Sequence, residues 1–171
     1  MTYEQSRNHS SIESLDRELF QSHHRGPFSV QRSSDGVDET FEIRSSVTDN
    51  FVAATHFWGS AASALMRATV VARSLNRSTF RRWIPPTVRR YFLLDHPPPY
   101  RVVRRFCEMQ GPLLAVESSN RQGVIAVDGD DTESQVVAQS ICEAINNRFH
   151  RKFDLQQTSL IERIIIRGGK Q

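Results

Sequence analysis

Several short segments of the chain have the length and apolar content of β-strands. In TFEIRSSV the residues Phe41, Ile43 and Val47 alternate with polar residues, as is typical of a half-buried strand. The second half of the chain contains further candidate strands, namely RVVRRFC, PLLAVE, GVIAVD and LIERIII (160–166). Because only SSNRQG separates PLLAVE from GVIAVD, these two segments are expected to form a hairpin. Together the segments predict a mainly antiparallel sheet.

Two longer stretches repeat their apolar residues with the period of an α-helix. The first runs from about Asn50 to Leu75 after a candidate N-cap at Thr48-Asp49, and Gly59-Ser60 allows it to bend or divide. The second begins at Thr132, where Thr132-Glu-Ser-Gln135 matches a capping box. Its apolar stripe consists of Val137, Ile141, Ala144, Ile145 and Phe149.

A proline-containing connector (78–100) lies between these two helical stretches. Five of the seven prolines fall between Pro85 and Pro99, which excludes a continuous helix there. A short helix is still able to start at Pro86-Thr87 and to end near Leu94. The order of elements predicts one α+β domain over residues 39–171, with a mainly antiparallel sheet and two main helices.

Residues 1–38 are rich in Ser, His, Arg and Gln and predict a mobile polar arm. Within the arm, SIESLDRELF (11–20) has the apolar spacing of a short amphipathic helix. The apolar fraction of the whole chain is 38%, below the roughly 45–50% of typical globular domains. A polar arm attached to an ordered domain accounts for this low value.

Positive charge is concentrated in the middle of the chain. Of its 22 basic residues two are lysines, Lys152 and Lys170, which leaves 20 arginines. Residues 67–105 carry ten arginines and one acid, Asp95, a net charge of +9. Residues 1–49 carry −4 and residues 106–171 carry −2, which with the uncharged stretch between gives the stated total of +3. The arginine bias can also reflect nucleotide composition or an overlapping reading frame.

Arginine pairs alternate with aromatic residues in this central block. Arginine supplies charge that binds phosphate, and aromatic rings supply stacking or interfacial anchoring, so the mixture suits nucleic acid or an anionic membrane surface. A solvated basic face with its aromatic residues in the core is the alternative. The candidate binding residues are Arg67, Arg73, Arg77, Arg81, Arg82, Trp83, Arg89, Arg90, Arg101, Arg104 and Arg105.

The block ends in the motif Pro97-Pro98-Pro99-Tyr100, which matches the P-P-x-Y ligand of WW domains. A ligand of this kind must be extended and exposed. This motif lies directly before the candidate strand RVVRRFC, so a rigid corner of the fold is the preferred interpretation. A WW-domain partner is the second.

The chain carries no recognisable catalytic or metal-binding motif. DGDDTE (128–133) lacks the ligand spacing of a calcium loop and is better explained as acids at a helix N-terminus. The histidines do not combine with Cys107 and Cys142 into a metal signature, and two separate cysteines indicate a reducing compartment. We therefore expect no enzymatic activity, no catalytic residue, no metal and no cofactor.

The N-terminal residues lack the basic start and apolar core of a signal peptide. The longest stretch without charge, Asn50 to Met66, is diluted by polar residues and is too short and polar to predict a membrane span. We expect a cytoplasmic protein that is not secreted.

The order of these elements resembles that of the matrix proteins of rhabdoviruses, particularly the small basic ones of plant-infecting members. The resemblance covers about residues 38–167 and rests on FEIRSSV, a helix containing His56-Phe57-Trp58, and late strands leading into DGDDTESQVVAQSICEAINNRF. In that family the PPPY motif usually lies in the N-terminal arm, whereas here it occupies residues 97–100.

The resemblance implies a viral structural protein that binds an anionic membrane or a nucleocapsid and associates with itself as a homo-oligomer. It also implies a location in the virion and the host cytoplasm. Two alternatives stay open. One is a small RNA-binding protein such as a viral RNA-silencing suppressor, and the other is an adaptor that binds WW domains through PPPY.

Overall fold

Antiparallel strands form one sheet in the computed structural model, which describes residues 20, 23–34, 39–55, 60–76, 82–108 and 111–149. The strands are β1 (Phe28–Ser34), β2 (Glu39–Ser45), β3 (Phe51–Thr55), β4 (Arg101–Cys107), β5 (Gly111–Glu117) and β6 (Gly123–Asp128). Their order is β1-β2-β3-β6-β5-β4, and each adjacent pair is antiparallel. The helices of the described residues are α1 (Ala61–Leu75), α2 (Pro86–Asp95) and α3 (132–149). The predicted α+β class, with α1 and α3 as its main helices, is confirmed.

The helices pack on one face of the sheet and bury the main core. Successive strand residues point to opposite faces, so alternate residues such as Ile43, Val116 and Ile125 meet the helices. Val71 of α1 and Ile145 of α3 belong to the same fully buried cluster. Each such aliphatic side chain contributes about 1.5–3 kcal/mol on burial. This layer of helices on a sheet is what holds the segments around α2 in place.

The strands in the second half of the chain agree with the sequence analysis. RVVRRFC is β4, PLLAVE lies in β5, and GVIAVD is β6. β5 and β6 form the expected hairpin, with Leu114 opposite Val127. The short helix predicted from Pro86 is α2, and Pro86 is its first residue. The predicted strand at 160–166 lies outside the described residues.

The predicted helix over Asn50–Leu75 is wrong in its first part. Phe51–Thr55 forms β3, which pairs with β2 on one side and with β6 on the other. Ser60 is the N-cap of α1, and its side-chain oxygen accepts a hydrogen bond from the backbone N–H of Ser63 at 3.2 Å. A short apolar run has no decisive period, so FVAAT is compatible with either element until neighbouring strands supply backbone hydrogen bonds.

The boundary of the predicted arm (1–38) is also wrong. Phe28–Ser34 forms β1, and Val30 pairs with Ile43 of β2. Asn76, after α1, fixes the start of this strand by accepting from the backbone N–H of Phe28 at 2.8 Å and donating to its carbonyl at 3.0 Å. The polar residues of FSVQRSS conceal the strand in the sequence. The predicted amphipathic helix (11–20) lies outside the described residues apart from Phe20, which is buried.

The helix after DGDDTE is confirmed, but its cap differs from the predicted capping box. Asp131, not Thr132, accepts a hydrogen bond from the backbone N–H of Ser134 at 2.8 Å. This hydrogen bond lowers the pKa of Asp131. Gln135 donates to the carbonyl of Asp130 instead of reaching back to a cap N–H group. The acidic cluster therefore serves the start of α3.

Candidate anion-binding site

The segment that contains α2 is anchored by two buried apolar residues. Ile84 precedes the helix and Phe92 lies in its middle, fully buried. The ring of Phe92 lies 5.5 Å from that of Phe149 at the end of α3 and 6.1 Å from that of Tyr100, measured between ring centroids. This aromatic group fixes which side of α2 faces the core, and the remaining side is left to solvent.

The outward side of this segment presents large apolar residues. Trp83, Tyr91 and Leu94 are 62%, 63% and 66% exposed, and we call them the apolar stripe. Tyr91 and Leu94 are three residues apart and share one side of the helix. Arg90, also exposed, lies on that side as well. Single exposed apolar residues are ordinary, but three on one short segment are unusual for a monomeric surface.

Arginines from several elements meet beside the stripe. Arg148, near the end of α3, donates through Nη1 to the carbonyl of Arg73 at 3.0 Å and through Nη2 to the carbonyl of Arg82. The guanidinium carbons of Arg89 and Arg148 lie 5.8 and 6.0 Å from the centre of the Phe149 ring. We call Arg73, Arg82, Arg89 and Arg148 the arginine cluster. Arg82 directly precedes Trp83, and Arg89 lies on the helix that carries Tyr91 and Leu94, so one short segment contributes to both the cluster and the stripe.

The arginine cluster concentrates positive charge in a partly dry environment. Burial, followed by the charges of Arg82, Arg89 and Arg73, lowers the pKa of Arg148 to about 10. Within the described part of the chain, no carboxylate lies at ion-pair distance from Arg82, Arg89 or Arg148. With a pKa of about 10, Arg148 stays charged at neutral pH, and the cluster is therefore suited to an anionic ligand.

Arg148 was missed by the sequence analysis. The charge count ended the basic block at Arg105, and Arg148 lies 75 residues from its contact Arg73. One signal was present in the sequence. Arg148 is next to Phe149, the last of the apolar residues predicted to line one side of α3, which places Arg148 at the end of that helix.

Arg67 is a predicted binding residue that the structure contradicts. It lies within α1 with only 2% of its surface exposed, and its guanidinium donates to the carbonyl of Gly123 at 3.0 Å. Burial lowers its pKa. Facing the core rather than solvent, Arg67 does not contribute to a binding surface. Arg77 and Arg81 lie outside the described residues.

The arginines of β4 are separated from the cluster. Arg101 and Arg105 face Glu117 of β5, at 3.9 Å for Arg101, while Arg105 donates through Nε at 2.8 Å. Their sheet face is the one with the small cluster of Leu113, Ala115 and Ala126, opposite the helices. Arg104 is exposed on the other face. The structure thus divides the predicted basic block into a helix-side cluster, an ion-paired strand and a buried arginine.

The PPPY motif is built into the core. Tyr100 is 4% exposed, and its hydroxyl donates to the carbonyl of His96 at 2.8 Å. Asn146 of α3 accepts from the backbone N–H of Tyr100 and donates to its carbonyl, both at 2.9 Å. Burial raises the pKa of Tyr100. Pro98 is also buried, so the folded chain does not present the motif as a WW ligand requires, and the corner interpretation is supported.

The described ranges hold no group of three or more His, Cys, Asp or Glu side chains placed to bind a metal ion. No helix among them is long and apolar enough to cross a membrane. Cys107 and Cys142 are both free. Comparison of the chain with known protein families, with characterised proteins and with solved structures finds no match.

Proposed function

We propose that the protein is a non-enzymatic assembly protein that binds an anionic membrane surface through the arginine cluster and the apolar stripe. The observation that carries the proposal is that Trp83, Tyr91 and Leu94 are exposed on the segment that also contributes Arg82 and Arg89. The apolar side chains would enter the headgroup region, and the arginines would contact lipid phosphates. Interfacial helices divide their residues between water and lipid in this way.

Leu94 favours a membrane over RNA as the partner. Single-stranded nucleic acid is bound by rings that stack on bases, and a leucine has no ring to contribute. Leu94 is nevertheless the most exposed residue of the stripe, and it lies on the outward side of α2 with Tyr91. Burial of an exposed leucine in the acyl boundary is favourable by about 1.5–3 kcal/mol, whereas a phosphate backbone gives it nothing.

The charges contribute a comparable amount. Arginines near an anionic surface are each favourable by about 1 kcal/mol, and the attraction falls off within a Debye length. Arg82, Arg89, Arg90 and Arg148 are available on this side of the protein. Binding should therefore weaken with added salt but should not vanish, because the apolar stripe is insensitive to screening.

A matrix-like role in virion assembly extends this proposal. It would add self-association and nucleocapsid contact to membrane binding, and it rests on the resemblance of the elements to rhabdovirus matrix proteins. In such a role the arginine–aromatic surface faces the lipid, and other surfaces are left for copies of the chain.

Vesicle flotation tests the proposal. We expect the protein to float with vesicles of phosphatidylserine and phosphatidylcholine but not with phosphatidylcholine alone. Leu94→Ser should lower vesicle affinity about tenfold, in keeping with the loss of one buried leucine. Val47→Ser is the matched control, because Val47 is 62% exposed but lies in the turn between β2 and β3.

RNA binding is measured with the same variants at the same salt concentration. If wild-type protein shifts RNA in a gel but does not float with anionic vesicles, the membrane proposal is wrong and an RNA-binding protein takes its place. Equal flotation of wild type and Leu94→Ser would also contradict the assigned surface.

A further inference from the structure

The arginine cluster has features of a site for one anionic group, beyond those of a diffuse basic surface. Arg82 comes from the segment before α2, Arg89 from α2 and Arg148 from α3. The Phe92–Phe149 contact at 5.5 Å joins α2 to α3, and the hydrogen bond from Arg148 to the carbonyl of Arg82 joins the preceding segment to α3. The guanidinium groups of Arg89 and Arg148 both lie near the buried Phe149 ring, which limits their freedom to spread apart.

The guanidinium of Arg148 is held in place before any ligand arrives. Two of its N–H groups donate to the carbonyls of Arg73 and Arg82, and its carbon atom lies 6.0 Å from the centre of the Phe149 ring. A guanidinium has five N–H donors, so further donors remain for a ligand. Arg89 lies by the same ring at 5.8 Å. A side chain fixed in this way loses little conformational entropy when it binds, which favours a specific contact.

The charge of the cluster is concentrated enough to distinguish between anions. Three guanidinium groups without a neighbouring carboxylate repel one another. The binding free energy of an anionic ligand is therefore more favourable when the ligand carries more negative charge on a single group. A phosphodiester carries one negative charge. A phosphate monoester carries about 1.5–2 and has three terminal oxygens that accept the paired N–H groups of arginine.

We infer that Arg82, Arg89 and Arg148 form a binding site for a phosphate monoester group. A membrane source of this group is a lipid with a terminal phosphate, and a soluble source is a small phosphorylated metabolite. The lipid form of the inference rests on the proposed function and deepens it, because it names the headgroup that the membrane-binding surface selects. The apolar stripe and the positive charge of the cluster together attach the protein to an anionic membrane, and the hydrogen bonds of the cluster add the preference for a phosphate monoester.

The test compares two vesicle compositions at matched surface potential. Phosphatidic acid presents a phosphate monoester, whereas phosphatidylglycerol presents a phosphodiester. We expect wild-type protein to bind phosphatidic acid vesicles about tenfold more tightly, as paired charge-assisted hydrogen bonds would produce. Equal affinity for the two compositions would overturn the inference and leave membrane binding intact.

Variants assign the preference to the cluster. Arg148→Lys keeps the charge but loses the planar guanidinium that forms paired hydrogen bonds, so its affinity for phosphatidic acid should fall more than its affinity for phosphatidylglycerol, and most of the preference should be lost. Arg89→Lys is a second variant in case Arg148→Lys does not fold, which circular dichroism would show. Arg101→Lys is the matched control, because Arg101 is exposed on the sheet face opposite the helices. A preference that survives in both cluster variants would overturn the inference.

Experiments with a soluble ligand test the phosphate site separately from membrane binding. Inorganic phosphate should compete with phosphatidic acid vesicles and should raise the unfolding temperature of wild-type protein but not of Arg148→Lys. If phosphate stabilises the protein in this way while no anionic vesicle is bound, the phosphate site stands and the membrane function fails. If vesicles of both compositions bind equally and phosphate has no effect, the function stands and the site fails.

Discussion

The arginine cluster and the arginines of β4 come from the same basic stretch of the sequence, but they meet different neighbours in the fold. In the cluster, Arg148 is surrounded by Arg73, Arg82 and Arg89, and burial together with these charges lowers its pKa. On β4, Arg101 and Arg105 face a carboxylate, Glu117, that is 3% exposed. Arg82, Arg89 and Arg148 have no carboxylate at ion-pair distance within the described residues, whereas Arg101 and Arg105 face a buried acid.

This difference shows why the density of basic residues in a sequence does not identify a binding surface. Two arginine pairs can look alike in sequence while the register of one strand brings a carboxylate opposite one of them. Arg101 pairs directly with Glu117 across β4 and β5, and Arg105 lies four residues further along the same face. Three changes should distinguish the two arginine regions from each other and from Tyr100, the residue that joins them. They follow in order of decreasing expected effect.

Removal of the Tyr100 side chain should have the largest effect on stability. Tyr100 joins the two regions, because it contacts Phe92 and Phe149 on the helix side and directly precedes β4. Tyr100→Ala leaves a cavity and an unpaired carbonyl at His96, so we expect a loss of about 3–5 kcal/mol in unfolding free energy. Urea denaturation measures it.

Tyr91→Ala is the matched control for this change. Tyr91 belongs to the exposed stripe, so its removal should change the unfolding free energy by less than about 0.5 kcal/mol while it weakens vesicle binding. Similar stability losses in the two variants would show that Tyr100 is not the joint between the regions.

Mild acid should lower the stability of the packing around His96 and Tyr100 before it changes either arginine region. Burial and, to a smaller extent, the charge of Arg67 lower the pKa of His96 to about 4, although Asp95 acts in the opposite direction. The folded pKa is below the unfolded value of about 6.5, so His96 contributes stability above pH 6.5 that is lost as the pH falls toward 4. We expect the unfolding free energy to fall by about 2 kcal/mol between pH 7 and pH 5, and urea denaturation at a series of pH values measures this loss.

His96→Gln should remove most of this pH dependence. The buried His24, whose pKa burial also lowers, accounts for a remainder. His23→Gln is the control, because His23 is exposed. An unchanged slope between pH 7 and pH 5 in His96→Gln would place the titrating group elsewhere.

Neutralisation of Glu117 should have a smaller effect that bears directly on the comparison. Glu117→Gln keeps the size of the side chain but leaves Arg101 and Arg105 without a counter-charge. Both arginines are about half exposed and can be hydrated, so we expect a loss of about 1–2 kcal/mol rather than the full cost of breaking a buried pair. Thermal and urea denaturation measure the loss.

Glu108→Gln is the matched control, since Glu108 is exposed at the end of β4. Vesicle binding sharpens the comparison further. Glu117→Gln should raise affinity for anionic vesicles by less than about twofold, because the newly unpaired arginines lie on the sheet face opposite the helices. A larger gain would mean that β4 belongs to the membrane-binding surface.

Most of the sheet could be predicted from local patterns, and two parts could not. The strands β2, β4, β5 and β6 each carry their own signal of alternation or β-branched residues. Helix α3 has apolar residues regularly spaced along one side, although its N-cap lies one residue earlier than the predicted capping box. β1 and β3 lack a signal of this kind, and their state depends on β2, the strand between them.

The types of residue in the candidate site could be predicted from the sequence, but which individual residues form it could not. The sequence indicated arginines interleaved with aromatic residues, and of these Arg82, Trp83 and Arg90 are exposed and Arg89 is half-buried. It could not show that Arg67 is buried, because a basic residue on an amphipathic helix is usually exposed. Nor could it add Arg148, which reaches the site only through the packing of α3 against α2.

The sequence by itself determined the α+β class, the hairpin of β5 and β6, and the interruption of helix between Pro85 and Pro99. These features follow from the periodicity and backbone limits of residues close together in the chain. The tertiary structure alone decided which arginines meet an acid, which meet one another, and that Tyr100 belongs to the core. Charges and rings act through space over a few ångströms, and residues as far apart as Arg73 and Arg148 become neighbours only after the core has formed.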